Sequence, residues 1–276
     1  MRTKLIGLLI TASAWACWMC SESPSSAGPT IPSTGATSPD NYPGMTLVWR
    51  DEFSGSQLNT ADWNYETGGS GWGNNELEYY QPQNTSVQSG YLIIEARKEN
   101  VGGMNYTSSR LTTKGKQAFR YGRIDIRAVL PKGQGLWPAL WMLGASIDSV
   151  GWPACGEVDL MELIGGPSRD STVYGTAHWD DNGHASEGGH TSLRGGKIFA
   201  DDFHVFSIVW NASSITWLVD NTPYVILNTT PAAMSELQKK FFLVFNVAVG
   251  GNWPGNPDAT TVFPQHMVVD YVRVFQ

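Results

Sequence analysis

Cysteine is nearly absent from this chain: there are three in 276 residues, and two of them, Cys17 and Cys20, fall within the first twenty. Only Cys155 lies beyond, and a single thiol makes no intrachain disulfide, so a folded domain here must be held by its core alone. Charge is also scarce, at 16% of residues. The formal net charge is −7, and without Arg2 and Lys4 the balance is 16 basic against 25 acidic side chains. Such a chain repels polyphosphates, which argues against nucleic acid as a partner. Helix-period stretches are lacking as well. Thirty glycines and fifteen prolines punctuate short apolar runs, the composition of a turn-rich all-β domain rather than a helical bundle. What is plentiful is tryptophan, twelve residues of it. Many indoles and few charges suit a neutral, ring-shaped ligand that is stacked rather than ion-paired, although Trp also fills cores.

The ends of the chain differ from its middle. Residues 1–20 read as an export signal, with Arg2 and Lys4 as the positive start and an apolar stretch of 12 residues, 5–16, that is too short to span a bilayer. The Ala14-Trp15-Ala16-Cys17 sequence leaves two readings open, a lipoprotein cleavage box or an ordinary secretory signal cut near Ala16. Residues 21–43 form a Ser/Thr/Pro/Gly linker: 15 of residues 21–40 are of these four types, too polar to offset the entropy of ordering, so a flexible tether is expected. The protein is therefore expected to be bacterial and secreted or tethered at the cell surface, touching a membrane only through an N-terminal lipid, and to act as a monomer.

Residues 44–276 are expected to form one all-β domain of two packed antiparallel sheets. Period-2 or apolar runs predict strands at 91–98, 122–130, 157–164, 172–179, 204–211, 214–220, 241–249 and 267–275. Hairpins are predicted at Asn211-Ala212-Ser213 and at Asp220-Asn221-Thr222-Pro223, the latter before a run at 224–227. The one helix candidate is 232–240. A β-propeller is disfavoured because no period of about 40 residues recurs.

The densest chemical signal is Glu157-Val158-Asp159-Leu160-Met161-Glu162, three acids in an apolar strand. Alternation puts Glu157 and Asp159 on one sheet face, whereas Glu162, five positions on, points the other way unless one residue is inserted. A β-bulge at Leu160-Met161 supplies that insertion and leaves Val158 and Leu163 toward the core. On a helix the two Glu would lie about 140° apart, so only the strand builds a site. Crowded carboxylates cannot all ionise near neutrality, and two Glu with separated pKa values meet the demand of glycoside hydrolysis, one attacking as carboxylate and one donating a proton. Long side chains leaning inward on a curved sheet favour the retaining geometry. The competing readings are a solvent-facing acidic strip and a divalent cation site.

This hexamer resembles the bulged motif of glycoside hydrolase family 16, and among its members the bacterial endo-β-1,3-glucanases, or laminarinases. The resemblance extends through Val48–Phe53, Asn74–Tyr80, Ser109–Leu111, Leu136–Trp141, Gly175–His178 and Gly251–Gly255. It implies a jelly-roll β-sandwich with a concave substrate groove. It also implies Glu157 as nucleophile, Glu162 as general acid/base, Asp159 as the group that shares a proton with the nucleophile, and His178 near the cleavage point. A hydrogen-bonded structural role for His178 is the alternative. The implied activity is endo-acting, retaining cleavage of β-1,3 bonds in a β-glucan polysaccharide or oligosaccharide. Its rivals are mixed-linkage β-1,3-1,4-glucan or galactan hydrolysis, transglycosylation, and non-catalytic carbohydrate binding.

Trp137, Trp141, Trp152 and Trp253 lie beside Gly and Pro, where an indole is available to stack on a pyranose. For Trp137 and Trp141, spaced i, i+4 across Pro138, burial of one of them is the alternative. Asn75, Glu78 and Arg110 are candidates to bond sugar hydroxyls, while Trp49, Trp63, Trp210 and Trp217 are assigned to packing. The chemistry requires no cofactor. His184 and His190 near Asp180 and Asp181 lack a zinc-ligand spacing. The resemblance implies a structural calcium on the opposite face, held by Asp270 and the backbone oxygens of Glu52 and Gly90; an ordinary outward-facing Asp270 is the alternative.

Overall fold

The computed structural model describes residues 28–276. The export signal with Cys17 and Cys20, and the first part of the linker, lie outside the described residues. The first half of the chain forms β1 Leu47–Asp51, β2 Asn64–Glu66, β3 Glu78–Tyr80, β4 Thr85–Gln88, β5 Tyr91–Ala96, β6 Tyr106–Ser108, β7 Arg110–Thr112, β8 Gly122–Val129 and β9 Leu136–Gly144. The second half forms β10 Glu157–Glu162, β11 Thr172–Asp180, β12 His184–Ser192, β13 His204–Trp210, β14 Ser214–Val219, β15 Thr222–Asn228, β16 Phe241–Val249 and β17 Gln265–Phe275.

These strands make the two antiparallel sheets expected of a jelly-roll sandwich. One sheet runs β15-β14-β13-β8-β17-β5-β4 with β1 also paired to β17, and the other runs β12-β11-β10-β9-β16-β7-β2. Between them lies a continuous core in which Trp63, Phe206, Trp210, Trp217, Phe241 and Phe245 are fully buried. The packing role assigned to Trp63, Trp210 and Trp217 agrees with this, and Trp49 packs on the core from its edge. At roughly 25 cal/mol per Å² of apolar surface removed from water, such indoles and phenyl rings dominate the stabilisation that a disulfide would otherwise supply.

Three expectations change. The candidate helix at 232–240 is two 3₁₀ turns, Ala232–Gln238, joined across a kink at Met234. A strand absent from the sequence reading, β9, runs through Pro138, whose missing N–H is tolerated because the paired register with β10 ends at Ala139 and Glu162, leaving the Pro138 carbonyl to accept the Leu163 N–H (3.2 Å). The linker is not free throughout. Residues 34–42 lie along the outer face of the eight-stranded sheet. Ala36 N–H donates to Phe203 O (3.0 Å), Ser38 N–H to the Tyr271 hydroxyl (2.7 Å) and Tyr42 O–H to Asp125 Oδ2 (2.7 Å). The Arg127 guanidinium donates to the carbonyls of Ala36 and Thr34. These bonds offset the ordering entropy that composition alone predicted to win.

Candidate active site

The outer face of the seven-stranded sheet carries a cleft of about 680 Å³. Its floor follows from alternation: on β9, Trp137, Ala139, Trp141 and Leu143 all face the cleft while the intervening side chains are buried. Being on a strand, residues four apart share a face, so both Trp137 and Trp141 line the cleft and neither enters the core. Asn246 and Ala248 of β16, Arg110 of β7 and Thr176 and His178 of β11 continue the surface.

Across the centre runs β10. Against β9, Asp159 pairs with Trp141 and Met161 with Leu140; against β11, Asp159 pairs with Thr176 and Glu162 with Tyr174. On both sides β10 spends one residue more than its partner, which is the bulge expected at Leu160-Met161. The result is that Glu157, Asp159 and Glu162 all line the cleft while Val158, Leu160, Met161 and Leu163 enter the core. The bulge frees the Asp159 carbonyl, and the buried indole of Trp217 reaches across from β14 to donate to it at 2.7 Å. Gly175 of β11 makes room for this contact, because a Cβ there would stand 2.3 Å from Trp217 Cδ1. Trp217, assigned to packing, therefore also supports the bulge.

Each acid has a partner aimed from another element. Trp152 Nε1–H donates to Glu157 Oε2 (3.1 Å), and Trp137 Nε1–H donates to Glu162 Oε1 (2.9 Å). His178 Nε2 lies 3.0 Å from Asp159 Oδ2 and 3.8 Å from Glu157 Oε1. Burial pushes all three carboxyl groups above the ordinary range, that of Glu162 to about 8, and Asp159 raises both Glu further. His178 opposes the shift at both Glu, Arg110 opposes it at Glu157 and the Trp137 hydrogen bond opposes it at Glu162. A cluster of this kind retains at least one proton at neutral pH and can both attack and protonate. Glu157, Asp159 and His178 bring donor atoms within 4.8 Å of one another, but the contacts are those of groups sharing protons, and the acids are held toward their neutral forms.

The aromatic candidates separate along the cleft. Trp152 is 48% exposed and Trp253 40% exposed, the accessibility that stacking on a ring requires. Trp253 stands edge-on to Trp137 and to Tyr174. Trp72 and His184 line the cleft too; Trp72 was missed in the sequence, and His184 was weighed there only as a zinc ligand. Trp72 follows Gly71 in the same Gly-rich pattern that singled out the other indoles. The Arg110 guanidinium lies between the rings of Trp72 (5.0 Å) and Trp141 (4.8 Å) and is ion-paired with Glu66 (2.5 Å).

Two predicted sugar-binding residues are not part of the cleft lining. Glu78 is fully buried, accepting the Val249 N–H at 2.6 Å, and burial with the nearby Glu76 holds its carboxyl well above the ordinary range. Pairing of β3 with β6 turns Glu78 and Tyr80 inward together. Asn75 stands at the rim, where its side-chain amide donates to Asn252 Oδ1 (2.8 Å) and ties two loops. His190 is apart from His184, packed on Tyr174. Of the groups named for calcium, Asp270 is the one side chain, and it is already ion-paired, its Oδ2 2.6 Å from Arg127 Nη1. The Glu52 carboxylate, as distinct from the backbone oxygen named as a donor, takes Nε and Nη2 of Arg273, and Gly90 is not among the residues lining the cleft that Glu52 and Asp270 share.

The comparisons agree with this geometry. Residues 52–273 match the model of "Glycosyl hydrolases family 16". A beta-glucanase of Rhodothermus marinus is 42% identical over 263 residues, covering 88% of this chain and 89% of that protein. The catalytic domain of an endo-1,3-beta-glucanase (laminarinase) from Thermotoga petrophila superposes with a TM-score of 0.80 at 48% identity, over 84% of this chain and 98% of the other. The clotting factor G alpha subunit of Tachypleus tridentatus is 38% identical over 240 residues, and there the chain spans only 34% of its relative's length. The match of residues 52–273 to that family model, in a jelly-roll sandwich whose cleft is crossed by a bulged three-acid strand, makes this chain a member of glycosyl hydrolase family 16.

Proposed function

We propose that this protein is an endo-acting, retaining hydrolase of β-1,3-glucosidic bonds in β-glucans such as laminarin. The observation that carries the proposal is the register shift of β10, which puts Glu162 on the same face as Glu157 in a cleft walled by indoles. In this reading Glu157 attacks the anomeric carbon as a carboxylate and forms a glycosyl ester. Glu162, kept neutral by burial, gives its proton to the departing sugar oxygen, then takes one from the water that opens the ester. Asp159 holds the proton that Glu157 must lack in order to attack. Trp152 orients the nucleophile and Trp137 the acid through their indole N–H groups while offering apolar faces to pyranose rings. A cleft open along the sheet admits a chain at internal bonds. Export or surface tethering through residues 1–20 accompanies this reading, because a polysaccharide of this size is met outside the cell.

The test is product analysis on laminarin, lichenan, agarose and carrageenan side by side. Laminarin should yield short oligosaccharides from internal cuts with the β-anomer formed first; cleavage of lichenan or a galactan alone would overturn the linkage. For the roles, Glu157→Ala should abolish turnover and azide should restore cleavage of an activated glucoside with inverted product. Glu162→Ala should slow poor leaving groups by about 10²–10⁴-fold and good ones far less. Equal losses in the two variants would overturn the assignment.

A further inference from the structure

His184 plays no part in the mechanism described so far, yet it is built into the cleft. It opens β12, just past the Asp181-Asn182-Gly183 turn, and its Nε2 lies 2.8 Å from His178 Nδ1. The two imidazoles are nearly parallel, 23° apart, and Trp152 packs on the outer ring with centroids 4.6 Å apart. Asp159, His178 and His184 thus form one hydrogen-bonded chain from the buried acid to the solvent edge of the cleft.

We propose that His184 is a positioning residue that fixes the tautomer and charge of His178, and through it the proton distribution among the three acids of β10. The inference rests on the hydrolase reading of the site. Two facing ring nitrogens can form a hydrogen bond only if one carries the proton and the other does not. With His184 Nε2–H donating, His178 Nδ1 is occupied as an acceptor and His178 carries its proton on Nε2, directed at Asp159 Oδ2. Asp159 then keeps its other oxygen for the proton shared with Glu157. A neutral imidazole suits His184 to this role, and desolvation and the neighbouring His178 both disfavour its charged form.

The charged and titratable groups around the pair act in defined directions. From β10, Glu157, Asp159 and Glu162 face His178, and from β7 Arg110 acts on Glu157. Asp180, opposite His184 in the hairpin, turns its carboxylate to the Gly183 N–H instead. From the other sheet the buried Tyr224 hydroxyl approaches Asp159 and Glu162. Without His184, water reaches His178 Nδ1 and the ring can take a second proton beside three acids. An imidazolium there favours ionisation of both Glu157 and Glu162, so both limbs of the activity profile should move toward acid.

The test uses His184→Ala and His184→Gln in the intact protein; the Gln amide nitrogen can donate from the place of Nε2. Two-bond ¹⁵N–¹H correlation spectra should give His178 as the Nε2–H tautomer in the wild type and in His184→Gln, and as a ring that has lost that fixed tautomer in His184→Ala. The kcat/KM profile of His184→Ala on the cleaved polymer should shift by about one pH unit toward acid, a tenfold loss on the alkaline side, with His184→Gln restoring the position of both limbs. An Nδ1–H tautomer in the wild type, or superimposable spectra and profiles in His184→Ala, would overturn the proposal. Absence of laminarin cleavage by the wild type would overturn the linkage reading alone, since the spectra need no substrate.

Discussion

Two influences of opposite sign act on the Glu162 carboxyl. Burial raises its pKa, and the Trp137 N–H, donating at 2.9 Å, stabilises the carboxylate and lowers it. Trp137→Phe keeps a flat ring in the cleft and removes only the donor, so the pKa should rise above about 8. The alkaline limb of kcat should then move upward by about half to one unit, equivalent to about 0.7–1.4 kcal/mol. A pH–rate series of wild type and variant checks this; a limb that stays in place or moves down would mean that the indole binds sugar without tuning the acid. His184 moves the same limb through charge on His178, so the two effects can be told apart by their opposite signs.

At the scale of the strand, the chemistry depends on one inserted residue, and that residue leaves a buried carbonyl to be satisfied. Trp217 satisfies it. Trp217→Phe conserves most of the packing and orphans the Asp159 oxygen, at a cost of about 1–3 kcal/mol. The fold should survive, kcat should fall about tenfold or more, and KM should change little, because the bulge and not the sugar-stacking wall is loosened. Gly175→Ala should act in the same way from the facing strand, since its methyl carbon would overlap the indole. Steady-state kinetics beside a melting curve separate the two losses. The bulge was legible because an odd spacing between acids on an alternating strand has few other meanings. Glu78 was misread although the same alternation held the answer: Glu76, Glu78 and Tyr80 share a face, and Tyr80 O–H donates to Glu76 Oε2. β9 was hidden by Pro138 and β12 by Gly188-Gly189, residues that depress strand propensity but are tolerated once neighbouring strands fix the register. Trp217 and His184 were out of reach for another reason. Each acts on a residue whose proximity only the folded sheets create.

The molecule as a whole is stabilised from two directions that can be separated by experiment. On the outer face of the eight-stranded sheet, residues 34–42 are held by Arg127, Tyr271 and Asp125. A chain beginning at residue 44 should melt about 2–8 °C lower with KM for laminarin unchanged, and chelator should leave the melting temperature where it was, because Arg127 already meets the Asp270 carboxylate. Beneath the cleft Glu78, and in it the three acids of β10, have pKa values raised by burial above those of an unfolded chain, about 4. Groups raised in this way bind protons in the folded state that the unfolded state has released. Their contribution to stability is therefore intact below the unfolded pKa and declines as pH climbs through neutrality toward the folded values. Glu78 has one carboxyl oxygen without a partner and a second acid, Glu76, beside it, so its ionisation inside the core is opposed by desolvation and by like charge together. Glu78→Gln keeps the shape and an acceptor for the Val249 N–H while removing the titration. Melting temperatures from pH 6 to 9 should fall for the wild type and fall less for the variant, with the gap widening as pH rises. Parallel curves would show that Glu78 carries its charge at neutral pH and that the core beneath the cleft accommodates it.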